Sequence, residues 1–236
     1  MANAYRGNGH YNEAARLHEQ NLKILETNLG FEHPDTLATR SNLANAYDGA
    51  GRHKEAAQLH ENILKLREST LGLDHPDTLG TRSNLANAYY GAGHYKAAIN
   101  LDAETLRVQI RVLGPEHPDT LATRTNLATG YDNVGRSEEA SGLHQEILAV
   151  MERVLGLDHP NTLNSRNNLA MAYHSIERYD EAARLHKKTW RLWNGSWRRS
   201  TPTPSGAATT WPTPTAVPGG TKMSFRFFRQ IGRAHV

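Results

Sequence analysis

The sequence predicts an all-α fold of stacked antiparallel helix pairs. The string H-P-D-T-L begins at His33, His75 and His117, and H-P-N-T-L begins at His159, always at a spacing of 42 residues. The string N-L-A repeats with the same spacing from Asn42. Within each period, apolar residues recur at helical intervals, and glycines follow each apolar stretch. A constant period over four units indicates a repeat array rather than a domain with one central core.

The first helix of each period, helix A, is predicted to begin next to the H-P dipeptide. Pro34 suits a first helical turn, and Asp35–Thr36 offer side chains that can cap it. The apolar residues that follow recur at helical spacing as far as Tyr47. Gly49 and Gly51 are expected to end the helix.

The second helix, helix B, is predicted from about His53 to Leu71. Gly72 can adopt the left-handed conformation that often terminates a helix. Neither helix can bury its apolar stripe alone, so neighbouring periods must supply the covering surface.

At these positions the period resembles the tetratricopeptide repeat (TPR). The residues that carry the resemblance are Leu43-Ala44, Tyr47, Gly51, Ala56 and Ile63-Leu64. The period is longer than the usual length of about 34 residues, and its L-G-x-x-H-P-D-T-L linker is similar to that of kinesin-light-chain TPRs. The resemblance implies a right-handed superhelix, a TPR α-solenoid, whose helices A line a concave groove.

The array is predicted to cover residues 1–189. Asn3-Ala4-Tyr5 aligns with Asn45-Ala46-Tyr47, so the first repeat lacks the opening half of helix A. Uncovered ends of such an array should fray, and they could drive self-association. The complete repeats are expected near 33–72, 75–114, 117–156 and 159–189.

Residues 190–236, the tail, differ in composition from the array. The tail holds all four Trp and seven Lys or Arg but no acid, whereas 1–189 holds 20 Lys or Arg and all 24 acids. Codons can be written for Trp190–Thr215 that, read one base earlier, restore H-P-D-T-L and N-L-A in register. The last seven residues resemble read-through of a sequencing adapter. We therefore expect a disordered or non-native tail, produced by a frameshift near Thr189.

Composition and motifs exclude several functional classes. The acidic array offers no basic stripe for nucleic acid, and no apolar run is long enough for a membrane span. No Cys is present, which excludes disulfides and fits a cytoplasmic protein. The sequence contains no phosphate-binding loop, nucleophile elbow or zinc-binding histidine pair, so neither a cofactor nor catalysis is predicted.

Two sets of repeated side chains each leave two interpretations open. A mid-helix-B position that usually holds an aromatic residue holds histidine four times and Asp102 once. These histidines either form hydrogen bonds across the repeat or create a pH-sensitive seam. The helix-A arginines either pair with an acid on a neighbouring helix or bind an acidic ligand in the groove. The histidines are His18, His60, His144 and His186, and the arginines are Arg40, Arg82, Arg124 and Arg166.

The groove candidates lie on the side of helix A adjacent to its core stripe. They are small, polar and rich in amides, and Asn can bond both the C=O and the N–H of an extended peptide. The alternative is that they only keep the surface soluble. The presence of Asp48 and Asp132 disfavours a strongly acidic ligand. The candidates are Ser41, Asn42, Asn45, Asp48, Ser83, Asn84, Asn87, Tyr90, Thr125, Asn126, Thr129 and Asp132.

The predicted function is a protein–protein interaction scaffold that binds a peptide or partner domain in the concave groove and has no catalysis of its own. The alternative is a sensor or regulatory repeat region of a multidomain nucleotide-hydrolysing signalling protein. Sequence upstream of Met1 would discriminate between them, because the alternative requires a phosphate-binding loop there.

Overall fold

A computed structural model of the chain describes residues 10–200, with side chains described as far as Leu192. The repeats belong to the first of two units, Met1–Trp197, and the second unit is Arg198–Val236. The start of the first repeat and nearly all of the tail lie outside the described residues, so the predictions about both stay predictions. Within the described range the chain forms helices and no strands, which confirms the all-α prediction. The helices are α1 (Tyr11–Leu29), α2 (Pro34–Gly49), α3 (His53–Leu71), α4 (Pro76–Gly91), α5 (Tyr95–Val112), α6 (Pro118–Asn133), α7 (Ser137–Val154), α8 (Pro160–Ser175) and α9 (Tyr179–Ser200).

Each helix A (α2, α4, α6 and α8) begins at the proline of the H-P dipeptide. The histidine before it has an extended backbone, and its Nδ1 accepts the N–H two residues later, as His33 does from Asp35 at 3.2 Å. The cap is therefore the histidine, and the prediction that Asp35–Thr36 supply it was wrong. An imidazole can accept this bond only when Nδ1 is unprotonated. The same bond forms at His75, His117 and His159.

The tight turns from helix A to helix B need a residue with positive φ. Gly51, Gly93 and Gly135 supply it with φ of 79°, 77° and 80°. In the last such turn Glu177 takes the position with φ of 60°. A residue with a Cβ is strained there, so this turn is the weakest match between sequence and backbone.

The core is a series of interfaces between consecutive helices. Ala56, Ala57 and Leu64 of α3, for example, pack against Leu85 and Ala88 of α4. Such small side chains let neighbouring helices approach closely.

Tyrosine hydroxyls reinforce these interfaces. Tyr47 donates to Glu19 at 2.7 Å, and Tyr89 donates to Glu61 at 2.8 Å, in both cases to the preceding helix B. Burial and these carboxylates raise the pKa of both tyrosines to about 12.

The two sets of helices occupy different sides of the stack. Helices α2, α4, α6 and α8 contact one another from repeat to repeat, whereas α1, α3, α5 and α7 do not. Helices that lie closer together form the inner side of a curved stack. This arrangement agrees with the predicted position of helices A along the groove.

The repeat at 75–114 has a different contact at the interface between its two helices. Tyr90 donates from its hydroxyl to Oδ2 of the fully buried Asp102 at 3.0 Å. Two other repeats carry Asp48 with His60 and Asp132 with His144 at these positions, and the repeat at 159–189 carries His174 with His186.

Gly130 on α6 makes room for the larger tyrosine. It stands where the other helices A hold a buried alanine, and a Cβ placed on it would lie 2.5 Å from the Tyr90 hydroxyl oxygen. Tyr90, Asp102 and Gly130 therefore form one mutually dependent set.

Two glycine-to-alanine substitutions should have opposite effects on stability. Gly130→Ala should lower the free energy of unfolding by about 1–3 kcal/mol, because the new methyl group overlaps Tyr90 and Ile99. Gly80→Ala should raise it by about 0.5–1 kcal/mol, because helix propensity improves and no atom lies within 4 Å of the new Cβ. Urea unfolding of both variants tests this, and stabilisation by both would contradict the proposed role of Gly130.

Candidate functional site

The hydroxyl-bearing groove candidates are largely satisfied by their own helices. Ser83 donates to Leu79 O at 3.2 Å, and Thr125 donates to Leu121 O at 2.9 Å. Thr129 likewise donates to the carbonyl of Thr125 at 3.0 Å. Because these bonds use the hydroxyl proton, such side chains offer a ligand mainly an acceptor.

Two asparagines from successive repeats are hydrogen-bonded to each other. Asn126 of α6 donates from Nδ2 to Oδ1 of Asn87 on α4 at 3.0 Å. Asn87 is exposed, and Asn126 is half-buried. The structure thus joins two candidates from successive repeats that are 39 residues apart. We call the asparagines at these two positions the amide row: Asn42, Asn45, Asn84, Asn87 and Asn126.

Three candidates contact the following helix B or the turn before it. Asp48 lies 2.6 Å from Nδ1 of His53, and Tyr90 is bonded to Asp102. Asp132 lies 4.0 Å from Nε2 of the buried His144. Burial raises the pKa of Asp132. These side chains therefore tie helix A to helix B, and the charge of both aspartates is directed toward partners within the repeat.

The fourth helix A extends the row, although the sequence-based selection omitted it. On α8, Asn168 continues the register of Asn126 and is half-buried. Met171 takes the position of Asn45 and Asn87 and is 46% exposed. The 42-residue register alone could have identified both. A flexible thioether at this end provides an adaptable apolar contact.

Three of the four helix-A arginines pair with the preceding helix B. Their Nη2 atoms lie 2.6 Å from a glutamate 14 residues earlier, which confirms the ion-pair interpretation for them. The fourth, Arg124, has Ile110 at the glutamate position, and it makes no ion pair within the described part of the chain. The pairs are Arg40–Glu26, Arg82–Glu68 and Arg166–Glu152.

Of the mid-helix-B histidines, His18, His60 and His144 are buried and His186 is half-buried. Nδ1 of His60 and of His144 is enclosed without a hydrogen-bond partner, which disagrees with a bond across the repeat through that atom. Burial lowers the pKa of both histidines to about 4. Asp102, at the same position, responds in the opposite direction, because burial raises its pKa to about 7 against the opposing hydrogen bond from Tyr90. These shifts favour the pH-sensitive interpretation.

Within the described residues, no group of three or more His, Asp or Glu side chains is arranged to hold a metal ion.

Among the described helices, none combines the length and apolar character required to cross a membrane.

The chain matches a family described as tetratricopeptide repeat over residues 1–35, 36–77, 78–119 and 133–193. No curated protein matches it in sequence.

Solved structures extend this result to the fold. A Podospora anserina protein of kinesin light chain type, with nearly identical TPR-like repeats, shares 33% identity over 84% of this chain and 93% of its own, with a TM-score of 0.76. BtubC from P. vanneervenii shares 20% identity over 91% of this chain and 85% of its own, with a TM-score of 0.72. MamA of AMB-1 shares 21% identity over 82% of this chain and 96% of its own, with a TM-score of 0.56.

Helix pairs of constant length, contacts in chain order and these matches agree with one another. The chain belongs to the tetratricopeptide repeat family, and its repeats are of the kinesin-light-chain type.

Proposed function

We propose that the chain is a protein–protein interaction scaffold whose helices A bind an extended peptide. The observation that supports this proposal is the amide row, in which the bond between Asn126 and Asn87 joins two successive repeats. Each amide offers donors and an acceptor, so the row can pair with a peptide backbone without reading its side chains.

The charge of the groove narrows the ligand class. The helix-A arginines at 40, 82 and 166 are paired, and Asp48 and Asp132 face partners inside the repeat. The row itself is therefore uncharged. A ligand with few charges fits it better than a strongly acidic peptide, because Arg124 is the only helix-A arginine without an ion pair in the described part of the chain.

Further parts of the proposal concern catalysis, location and assembly. We infer no catalytic activity of the chain itself and a cytoplasmic location, consistent with its lack of Cys. Self-association through the uncovered ends of the array is the third part of the proposal.

A peptide screen tests the groove. A library of random peptides of about 12 residues is selected against the chain, and the best peptide is titrated against Asn84→Ala/Asn126→Ala. Loss of two backbone-directed hydrogen bonds should weaken binding about 10- to 100-fold.

Asn62→Ala/Asn100→Ala is the matched control, because both residues are exposed asparagines on helices B. This control should bind the peptide as the unmodified chain does. Failure to select any peptide, or equal loss in the two double variants, would contradict groove binding.

A further inference from the structure

A second surface lies where each helix B passes into the next helix A. We call it the loop edge, formed by the last residues of α1, α3, α5 and α7 and the loops 30–35, 72–77, 114–119 and 156–161. In each repeat an apolar residue ends helix B or follows it, and another usually occupies the second loop position. The exposed ones are Leu29 (44%), Phe31 (60%), Leu71 (44%), Leu73 (51%), Val112 (43%), Val154 (49%), Leu155 (38%) and Leu157 (46%).

Ion pairs make these apolar residues one surface. Arg111, near the end of α5, lies 2.6 Å from Asp74 in the preceding loop. Arg153, near the end of α7, pairs in the same way with Glu116. The loops at 72–77, 114–119 and 156–161 are thus held side by side, so their exposed apolar residues form a row rather than isolated patches. A contiguous apolar row of this kind is typical of an interaction site.

The loop edge is also strongly acidic. The four loops contain seven carboxylates and no Lys or Arg, and Asp74 and Glu116 are paired with an arginine. Asp35 and Asp119 have side chains that are 73% and 70% exposed. Acidic side chains here also stabilise the N-termini of the adjoining helices. That effect does not explain why Phe31 and Leu73 are exposed.

We propose that the loop edge docks a cationic amphipathic helix of a partner protein. Its apolar stripe would cover the exposed row, and its Lys or Arg residues would lie against exposed loop carboxylates such as Asp35 and Asp119.

The spacing favours a helix. Neighbouring packed helices lie about 8–10 Å apart, so four loops extend over about 30 Å, the length of a helix of about 20 residues. Seven residues of helix advance about 10.5 Å, so a heptad pattern places one apolar group near each loop. A second copy is disfavoured as the occupant, because two acidic edges would repel each other.

The test uses a synthetic helix of about 21 residues with Leu in a heptad stripe flanked by Lys, and a matched peptide with Glu in place of Lys. Fluorescence anisotropy should show the Lys peptide binding at least about tenfold more tightly than the Glu peptide. The preference should weaken as salt is raised.

Variants locate the binding. Leu73→Ser/Leu157→Ser should weaken binding of the Lys peptide about tenfold. Met171→Ser, which removes a similarly exposed apolar side chain from the groove, should leave it unchanged. Equal binding by the two peptides, or equal effects of the two sets of substitutions, would overturn the proposal. So would sedimentation showing a dimer that Leu73→Ser/Leu157→Ser dissociates, because a second copy would then be the occupant.

Discussion

Glu152→Gln is expected to lower the free energy of unfolding by about 3 kcal/mol. Arg166 is fully buried, and its Nη2 lies 2.6 Å from Glu152 Oε1, while Nε and Nη1 are buried without a partner. Replacing the carboxylate by an amide removes the only counter-charge at that distance. A buried cation without its partner is more costly than the pair itself is stabilising. Urea unfolding, with the slope of the transition compared between variants, measures the difference.

Two further substitutions control this prediction. Glu139→Gln breaks the exposed Arg136–Glu139 pair and should cost less than about 1 kcal/mol. Ile110→Glu gives Arg124 the carboxylate that its equivalents have, and it should stabilise the chain by up to about 1 kcal/mol. Equal losses from Glu152→Gln and Glu139→Gln would show that burial of Arg166 adds nothing.

Acidification should destabilise the array through the two buried histidines. The pKa of His60 and His144 is about 4 when folded, against about 6.5 in an unfolded chain. Between these values the unfolded state binds more protons. Stability is therefore complete above about pH 6.5 and falls as the pH decreases toward 4. At pH 5 the loss should be about 2 kcal/mol per histidine.

Asp102 changes the free energy of unfolding with pH in the opposite direction, over an adjacent pH range. Its pKa of about 7 when folded exceeds the usual value of about 3.9, so the folded state binds more protons between them. The stabilising contribution of Asp102 is fully present below about pH 3.9, and it is lost as the pH rises through 7. From pH 7.5 to 5.5 the contribution of Asp102 to stability should rise by about 2 kcal/mol, while that of each histidine falls by about 1 kcal/mol. The unmodified chain should therefore change little over that interval.

Variants separate the two effects in thermal unfolding. Asp102→Asn keeps an acceptor for Tyr90 but cannot ionise, so its melting temperature should fall clearly between pH 7.5 and 5.5. His60→Asn/His144→Asn should show a melting temperature that rises over the same interval. The same pH profile in the unmodified chain and both variants would show that these buried groups do not control stability.

Local patterns in the sequence were sufficient for the repeats and most helix boundaries. Helix α3, predicted from about His53 to Leu71, has those bounds in the structure. Ion pairs with the neighbouring helix were one of the two interpretations that the sequence left open for the helix-A arginines, and three of these pairs form. The start of helix A was less well predicted, because a histidine cap depends on an extended residue before Pro34 that composition does not reveal.

The candidate groove could be only partly predicted. Residues at 48, 90 and 132 share a face with the amide row on a helical wheel, yet they contact the following helix or its preceding turn. A helical wheel gives the direction of a side chain from its own axis, but it does not give the distance to the next helix. That distance also decided that Asn126 would reach Asn87.

The sequence by itself determined the helix pairs, their period and their order, because these depend on spacing along one chain. Only the tertiary structure decided which polar groups become buried, which of them meet, and which apolar residues remain uncovered. Those outcomes depend on surfaces contributed by different repeats. Gly130 shows the reason. In its own segment a glycine is expected only to weaken the helix, whereas in the structure Tyr90 of the preceding repeat packs against it and leaves no room for a Cβ.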